Sequence, residues 1–219
     1  MIRHAVLTLL TTMLLSACTA GESLIYRGLE MVEDEPGRVA LPAGQFPPRF
    51  AALVADTSVP LLVVTIESSK QGGRLLLENS VNDVETWLSA DMSALMIQNG
   101  IIRGTRGVGS ELFASDISEP MKLILSGNTG YSDRFTSNLG GDDRIRTRTY
   151  RCLVETRGSD VINLEIGRVA TRVMTEDCKS MDQSFTNTYW VSSTTGAIVQ
   201  SRQWAGDEVG YMITQVGVR

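Results

Sequence analysis

Asn99-Gly100 stands between two short apolar runs, Ala94-Leu95-Met96-Ile97 and Ile101-Ile102-Arg103-Gly104-Thr105, and this arrangement most narrows the folds open to the chain. Both turn residues accept positive φ, so the pair specifies a tight hairpin whose twist matches two antiparallel strands. Similar runs flank it. Leu61 to Ile66 is rich in β-branched residues, Arg74 to Glu78 follows Gly72-Gly73, and Asp83 to Ala90 alternates around Val84, Thr86 and Leu88. Later strands are expected over Arg144 to Glu155, Val161 to Ile166, Arg168 to Thr175, Phe185 to Ser192, Ala197 to Trp204 and Tyr211 to Val218. Thr194-Thr195-Gly196 reads as a hairpin turn. Met121 to Leu125 is apolar but too short to classify. Asn128 to Asp143, rich in Gly, Ser, Asn and Asp, reads as a long loop or a sub-boundary within 126–143. Twenty glycines and 6% aromatic residues suit turn-rich β structure. The expected fold is all-β and mostly antiparallel, with curved sheets forming a sandwich or half-barrel and few short helices.

The first residues have a different character. Arg3 precedes an 11-residue apolar run from Ala5 to Leu15, and Ser16 and Ala17 stand before Cys18. This is the layout of a secretory signal, and the run is too short for a helix that crosses a bilayer, which needs about 20 residues. Leu15-Ser16-Ala17-Cys18 resembles the lipobox of bacterial lipoproteins. The resemblance implies a lipid on the Cys18 sulfur, cleavage before Cys18, and acylation of the new amino terminus by a chain such as palmitate. A single acyl chain binds only weakly, with a constant on the order of 10⁴ M⁻¹, whereas two or more make a stable membrane anchor. Thr19 in place of Asp favours, by analogy with enteric lipoproteins, the periplasmic face of the outer membrane over the inner membrane. The chain thus divides into a signal at 1–17, a lipid-proximal tether at 18–50 and a β domain at 51–219. Pro36, Pro42, Pro47 and Pro48 interrupt the tether, with room for a short helix near Leu24 to Val32.

Without Arg3, the 20 Lys+Arg become 19 against 25 Asp+Glu, a net charge of −6. Such a surface is a poor general binder of nucleic acid. The single histidine is His4, within the signal, so His-based triads, His-ligated zinc and His general bases are all excluded from the mature chain. No cofactor or metal is expected. Gly104, Gly107 and Gly109 are wrongly spaced for either phosphate-binding motif. Cys152 and Cys178 remain as an even pair in an exported chain and are expected to form a disulfide worth about 3.5 kcal/mol on a chain-entropy estimate. The alternative, a redox pair, lacks a C-x-x-C spacing.

Two blocks carry a wider resemblance. The first is Val84-Glu85-Thr86-Trp87-Leu88-Ser89-Ala90-Asp91 followed by Leu95 to Asp116, which includes Gly100-Ile101-Ile102-Arg103-Gly104-Thr105-Arg106-Gly107. The second runs from Phe185-Thr186-Asn187-Thr188-Tyr189-Trp190-Val191 through Gly196 and Ser201-Arg202-Gln203-Trp204 to Gly210-Tyr211. With the lipobox and the cysteine pair, these resemble the YjbF/GfcB family of lipoproteins, linked to group 4 capsule and related exopolysaccharide export. The likeness runs from about residue 60 to the end, except at 121–141. It implies a mostly antiparallel β fold and a role in polysaccharide secretion, and it transfers no catalytic residue.

Candidate contacts follow from the chemistry of sugars. Trp87, Trp190 and Trp204 offer flat rings for the C–H faces of a glycan, or else fill the β core. Tyr189 and Trp190 are adjacent in a strand and must point to opposite faces, so at least one belongs to the core. Arg103 and Arg106 could meet an acidic glycan, or lie on the solvent side of a hairpin whose glycines make a bulge. Arg144, Arg146 and Arg148 form a basic stripe at period two, either a ligand face or a solvated one. Asp142-Asp143 and Asp207-Glu208 suit turns better than the paired carboxyls of a glycan hydrolase. The function expected is that of a non-enzymatic, lipid-anchored periplasmic accessory in export or assembly of capsular or extracellular polysaccharide, binding glycan or an export protein. The rival is a lipid or lipoprotein carrier with an apolar cavity, for which Leu95, Met96, Ile97, Ile101 and Ile102 supply aliphatic strand faces.

Overall fold

The computed structural model describes residues 46–108, 112–139 and 144–219. Cys18, the signal, the tether as far as residue 45, Gly109 and Asp142-Asp143 lie outside these residues. Helix α1 (Pro48–Ala55) leads into β1 (Leu61–Ile66), β2 (Gln71–Val81), β3 (Val84–Leu88), β4 (Ala94–Gln98), β5 (Ile101–Arg106) and β6 (Leu112–Asp116). Helix α2 (Ser118–Ser126) follows, then β7 (Gly130–Leu139), β8 (Ile145–Leu164), β9 (Gly167–Lys179), β10 (Ser184–Ser192), β11 (Ile198–Trp204) and β12 (Tyr211–Val216). No helix among the described residues is long and apolar enough to cross a membrane.

The twelve strands form one antiparallel sheet in the order β5-β4-β3-β2-β1-β12-β11-β10-β9-β8-β7-β6. Apart from β5 and β6, which end the ladder, every strand therefore pairs with its neighbours in sequence, and β1 pairs with β12, for example Val64 with Thr214. The expected all-β, antiparallel fold is the one adopted, in its barrel-like form. The two ends of the ladder, β5 and β6, meet through side chains. Arg103 Nε donates to the Ser115 carbonyl at 3.1 Å, and Thr105 Oγ1 accepts from the Leu112 N–H at 3.0 Å. Gly104 permits this approach: a Cβ there would lie 2.8 Å from the Met96 methyl and 3.1 Å from the Leu112 carbonyl oxygen. The β4–β5 register shifts between Met96 and Ile97, leaving Arg103 as the extra residue of a bulge. Asn99 (φ 49°) and Gly100 (φ 82°) make the hairpin turn their sequence specifies.

Alternation distributes the core. Leu62, Leu75, Trp87, Leu95 and Ile97 point into the barrel with Met212 and Val209. Leu61, Leu76 and Leu88 point outward, where Phe50 of α1 covers them. Helix α2 sends Ile124 inward, and Ile117 just before it joins the same cluster with Ile101, Met174, Tyr189 and Val191. Arg172 Nη2 donates to the Leu125 carbonyl at 2.9 Å, placing a cation at the helix C-terminus.

Three segments differ from expectation. The stretch read as a loop or sub-boundary contains β7, paired with β8 from Gly130↔Val154 to Leu139↔Ile145. Over Gly130–Leu139 the polar composition reflects side chains turned into a polar barrel interior. Val161 to Ile166 does not begin a separate strand: Val161 to Leu164 continue β8, whose register shifts between Thr156 and Gly158, and the β8–β9 turn follows. Met121 to Leu125 is helical.

Cys152 and Cys178 are direct partners in the β8–β9 ladder and are disulfide-bonded, with Cα atoms 4.0 Å apart. That places the Arg144 to Glu155 strand beside the chain just after Thr175, as the pairing requires. Cys152→Ser is expected to lower stability by about 2 to 5 kcal/mol in urea unfolding relative to the oxidised protein. Labelling of the denatured, unreduced exported protein that found two free thiols would remove the basis of this expectation.

Candidate functional site

The barrel interior is divided by chemistry. The β1 to β5 side is aliphatic, whereas β7 turns Ser132, Arg134 and Thr136 inward and leaves Tyr131 (66% exposed) and Phe135 (44%) on the outer face. On β8 the inward row begins exposed at Arg146, is half-buried at Arg148, and is buried at Tyr150 and Cys152. These rows enclose a cavity of about 380 Å³ at the barrel mouth beneath the β11–β12 turn. Leu112, Phe185, Trp204 and Asp207 complete its walls.

A buried ion pair lies beneath it. Arg134 is 2% exposed and Glu176 is fully buried, with Nε 3.2 Å from Oε1. Tyr189 donates its hydroxyl to Glu176 Oε2 at 2.7 Å, and Asn187 Nδ2 donates to the same oxygen at 2.8 Å. Asn187 Oδ1 in turn accepts from the Trp204 N–H at 2.8 Å, tying the network to the cavity rim. Burial works against the Arg134 charge, but the attraction of Glu176, with smaller help from Tyr189 and Tyr150, outweighs it and raises the guanidinium pKa. Burial and then Glu176 push the Tyr189 hydroxyl well above its ordinary value, so it remains a donor. Some groups are poorly matched: Arg134 Nη2, Ser132 Oγ and Ser115 Oγ are buried without a well-aligned hydrogen bond.

An aromatic run leads from the interior to the surface. Tyr150 meets Phe185 edge-on at 4.9 Å, Phe185 stacks with Trp204 at 6.1 Å, and Trp204 meets Tyr211 at 5.2 Å. Arg202 covers the Tyr211 ring at 3.4 Å and pairs with Glu67. Around the mouth, Arg148 contacts Asp182 at 3.0 Å and Asp207 at 3.4 Å. Gln183 accepts from the Tyr150 hydroxyl and donates to Asp207. The Arg148 pKa is raised chiefly by its hydrogen bond to Asp182.

Of the residues singled out by sequence, Trp204, Arg146, Arg148, Asp207 and Glu208 gather at this cavity. Trp87 does not: it is 6% exposed on the aliphatic side, with Nε1 donating to Glu85 Oε2 at 3.0 Å. Trp190 lies on the outer face of β10, while Tyr189 is fully buried, as alternation requires. Arg103 is engaged at the β5–β6 seam, with Gln98 Oε1 3.3 Å away, and Arg106 is exposed at the end of β5. Sequence reasoning missed Arg134 and Thr136 because their polar segment reads as a loop, and it gave no signal for Glu176. The exposed partners Tyr131 and Phe135 were the available signal of inversion. The Cys152 and Cys178 sulfurs and the Glu176 carboxylate lie within 4.8 Å of one another, but disulfide sulfurs offer no thiolate to a metal.

Residues 50–216 match the model of a family described as group 4 capsule polysaccharide lipoprotein gfcB, YjbF. The chain belongs to this family. It is 29% identical over 126 residues to the lipoprotein GfcB of Escherichia coli strain K12, described as uncharacterized, covering 55% of this chain and 58% of that protein. The aligned part thus spans little more than half of that relative's length. The crystal structure of the hypothetical lipoprotein YmcC from Escherichia coli K12 is similar at a TM-score of 0.65 and 23% identity, over 72% of this chain and 82% of the other. This second likeness supports the fold. Membership makes the protein a lipoprotein of a membrane-associated, capsule-linked family.

The ion pair generates a stability prediction. Glu176→Gln leaves a buried guanidinium without its counter-charge and is expected to cost about 3 to 5 kcal/mol. Arg134→Gln combined with Glu176→Gln removes both charges and should cost clearly less, as measured by denaturant unfolding of the two variants. Equal losses would show that the pair does not act as a unit.

Proposed function

We propose that the protein is a lipid-anchored accessory in the export or assembly of capsular or extracellular polysaccharide, acting without catalysis by holding glycan in the cavity at the barrel mouth. Cys18 carries the anchor, the residues between it and helix α1 tether the β domain, and the periplasmic face of the outer membrane is its place. The observation that carries the reading is Trp204, half-buried at the rim and backed by Phe185, in the wall of the same cavity as Arg146 and Arg148. An aromatic ring at a rim suits stacking against a pyranose, and the polar side chains around it suit hydrogen bonding to its oxygens. A binding role also suits the carboxylates. Glu176 is committed to Arg134, Tyr189 and Asn187, and Asp207 to Gln183 and Arg148. A strain lacking the protein is expected to display less surface polysaccharide under inducing conditions. Trp204→Ala should restore export only in part and bind the exported glycan about threefold to tenfold more weakly. Normal surface polysaccharide in the deletion strain would count against the proposal.

A second reading rests on the opposite mouth. There a cavity of about 520 Å³ is lined by Leu61, Leu62, Trp87, Ile97, Ile198 and Val216 among others, which suits a carrier of an acyl chain. A carrier would bind a fluorescent fatty acid in the low micromolar range or tighter, a threshold set at about −8 kcal/mol, and Ile198→Glu would abolish that binding. Titration without saturable uptake would retire the reading.

A further inference from the structure

The mouth opposite the proposed glycan cavity is where the described chain enters and leaves the barrel. Helix α1 pairs Arg49 with Glu78 just beyond the start of β1, and Arg219 donates to the carbonyls of Val54, at 2.8 Å, and Asp56. The β8–β9 hairpin runs on past its last pair with β10, Ser192↔Thr171, and its tip reaches the same place. There Glu165 accepts from Arg74 of β2 and from the Val218 N–H at 3.0 Å. Around this mouth five aliphatic side chains are 36% to 62% exposed: Val81 at the end of β2, Val161 and Ile166 in the β8–β9 hairpin, and Val216 and Val218 near the C-terminus. They come from three separate parts of the chain. Aliphatic groups gathered at one end and left in water mark a surface that meets an apolar partner.

We infer that this mouth is a lipid-facing surface: it rests on the bilayer that holds the anchor, its aliphatic side chains enter the headgroup and acyl boundary, and the opposite mouth is turned away from the membrane. This inference rests on the anchor at Cys18 and is independent of glycan binding. Cys18 stands 28 positions before Phe46, which leads into helix α1 at this mouth. A stretch of that length reaches at most about 100 Å, so the point of entry favours contact without imposing it, and the aliphatic residues supply the preference. Binding to a bilayer grows with the apolar area buried and with attraction to anionic headgroups. In both ion pairs at this mouth the cation is the more exposed partner, Arg49 over Glu78 and Arg74 over Glu165. Guanidinium groups beside the aliphatic residues suit lipid phosphates. The cavity lined by Leu62, Ile97 and Ile198 lies at the same mouth, so this orientation sets it against lipid.

The test uses the mature lipoprotein reconstituted in vesicles of phosphatidylethanolamine and phosphatidylglycerol that contain a nitroxide-labelled lipid. With Cys18 lipidated and Cys152 bonded to Cys178, a single introduced cysteine is the one thiol open to a fluorophore. Val81→Cys and Ile166→Cys place it at this mouth, and Met181→Cys places it in the β9–β10 turn at the other; all three positions are exposed, so the variants are expected to fold. Labels at 81 and 166 should be quenched by the lipid nitroxide at least about threefold more than the label at 181. Adding Val161→Glu and Ile166→Glu to Val81→Cys should bring quenching at 81 down to that seen at 181, while the protein still floats with the vesicles. Equal quenching at the two mouths, or stronger quenching at 181, overturns the inference and leaves the anchor intact. Quenching at 81 that survives the double glutamate change overturns the assignment to these aliphatic residues. Labels at 81 and 166 shielded from a soluble quencher but not reached by the lipid nitroxide, in protein that cross-links as a dimer, would give the surface to a second copy of the chain and overturn the inference. Protein that does not float overturns the anchor reading and the inference together.

Discussion

A single sheet of twelve strands curled on itself encloses more space than its own aliphatic side chains can fill, and this constraint governs the rest of the structure. An eight-stranded barrel packs its interior with side chains alone; a wider one must be plugged or left hollow. Here helix α2 fills part of the lumen with Ile124, and the β11–β12 connection folds Ala205 and Val209 inward at the other end. A polar network occupies the β7 to β10 side. Among the described residues a cavity lies at each mouth, one with Arg134, Arg146 and Arg148 in its wall and the other with Leu61, Ile97 and Ile198.

Closure also explains the seam. Full backbone pairing of β5 with β6 would hide every edge, as barrels generally do. This sheet instead joins its last two strands with side-chain bonds from Arg103 and Thr105, made possible by the missing Cβ of Gly104. The bulge that frees Arg103 to reach across is the same irregularity that ends regular β4–β5 pairing. A cation in a glycine-rich segment, which on sequence grounds suits a ligand, thus contributes to architecture.

What the sequence made legible follows the same division. Hairpin turns, β-branched runs and the cysteine pair have local signatures, and the strands around Asn99-Gly100 lie where those signatures place them. On the aliphatic side, inward and outward follow the usual rule that apolar means buried. On β7 the rule inverts: Tyr131 and Phe135 face out and Ser132, Arg134 and Thr136 face in. No local pattern distinguishes a polar lumen from solvent, so a strand with such a lining resembles a loop in composition. Trp204 and the Arg146–Arg148 row were legible as residue types, but their convergence required the barrel, since the β11–β12 turn brings residues some sixty positions apart to one mouth, as the Arg148–Asp207 contact shows.

The inverted strand is also the one that holds the ion pair, and the energetics make that association informative. A buried Arg–carboxylate pair is expensive to desolvate and is often no more stabilising than apolar residues of similar volume. Arg134 and Glu176 are therefore poorly accounted for by stability alone, and the fold adds Tyr189 and Asn187 to satisfy one carboxylate oxygen while leaving Nη2 of the guanidinium unmatched. Local rules tend to be broken where function demands it. The arrangement is an anchored cation, held at Nε by its counter-ion, at the floor of a cavity with an aromatic wall. Aliphatic side chains in place of the pair would fill the barrel as well, so the pair is a feature that packing leaves unexplained.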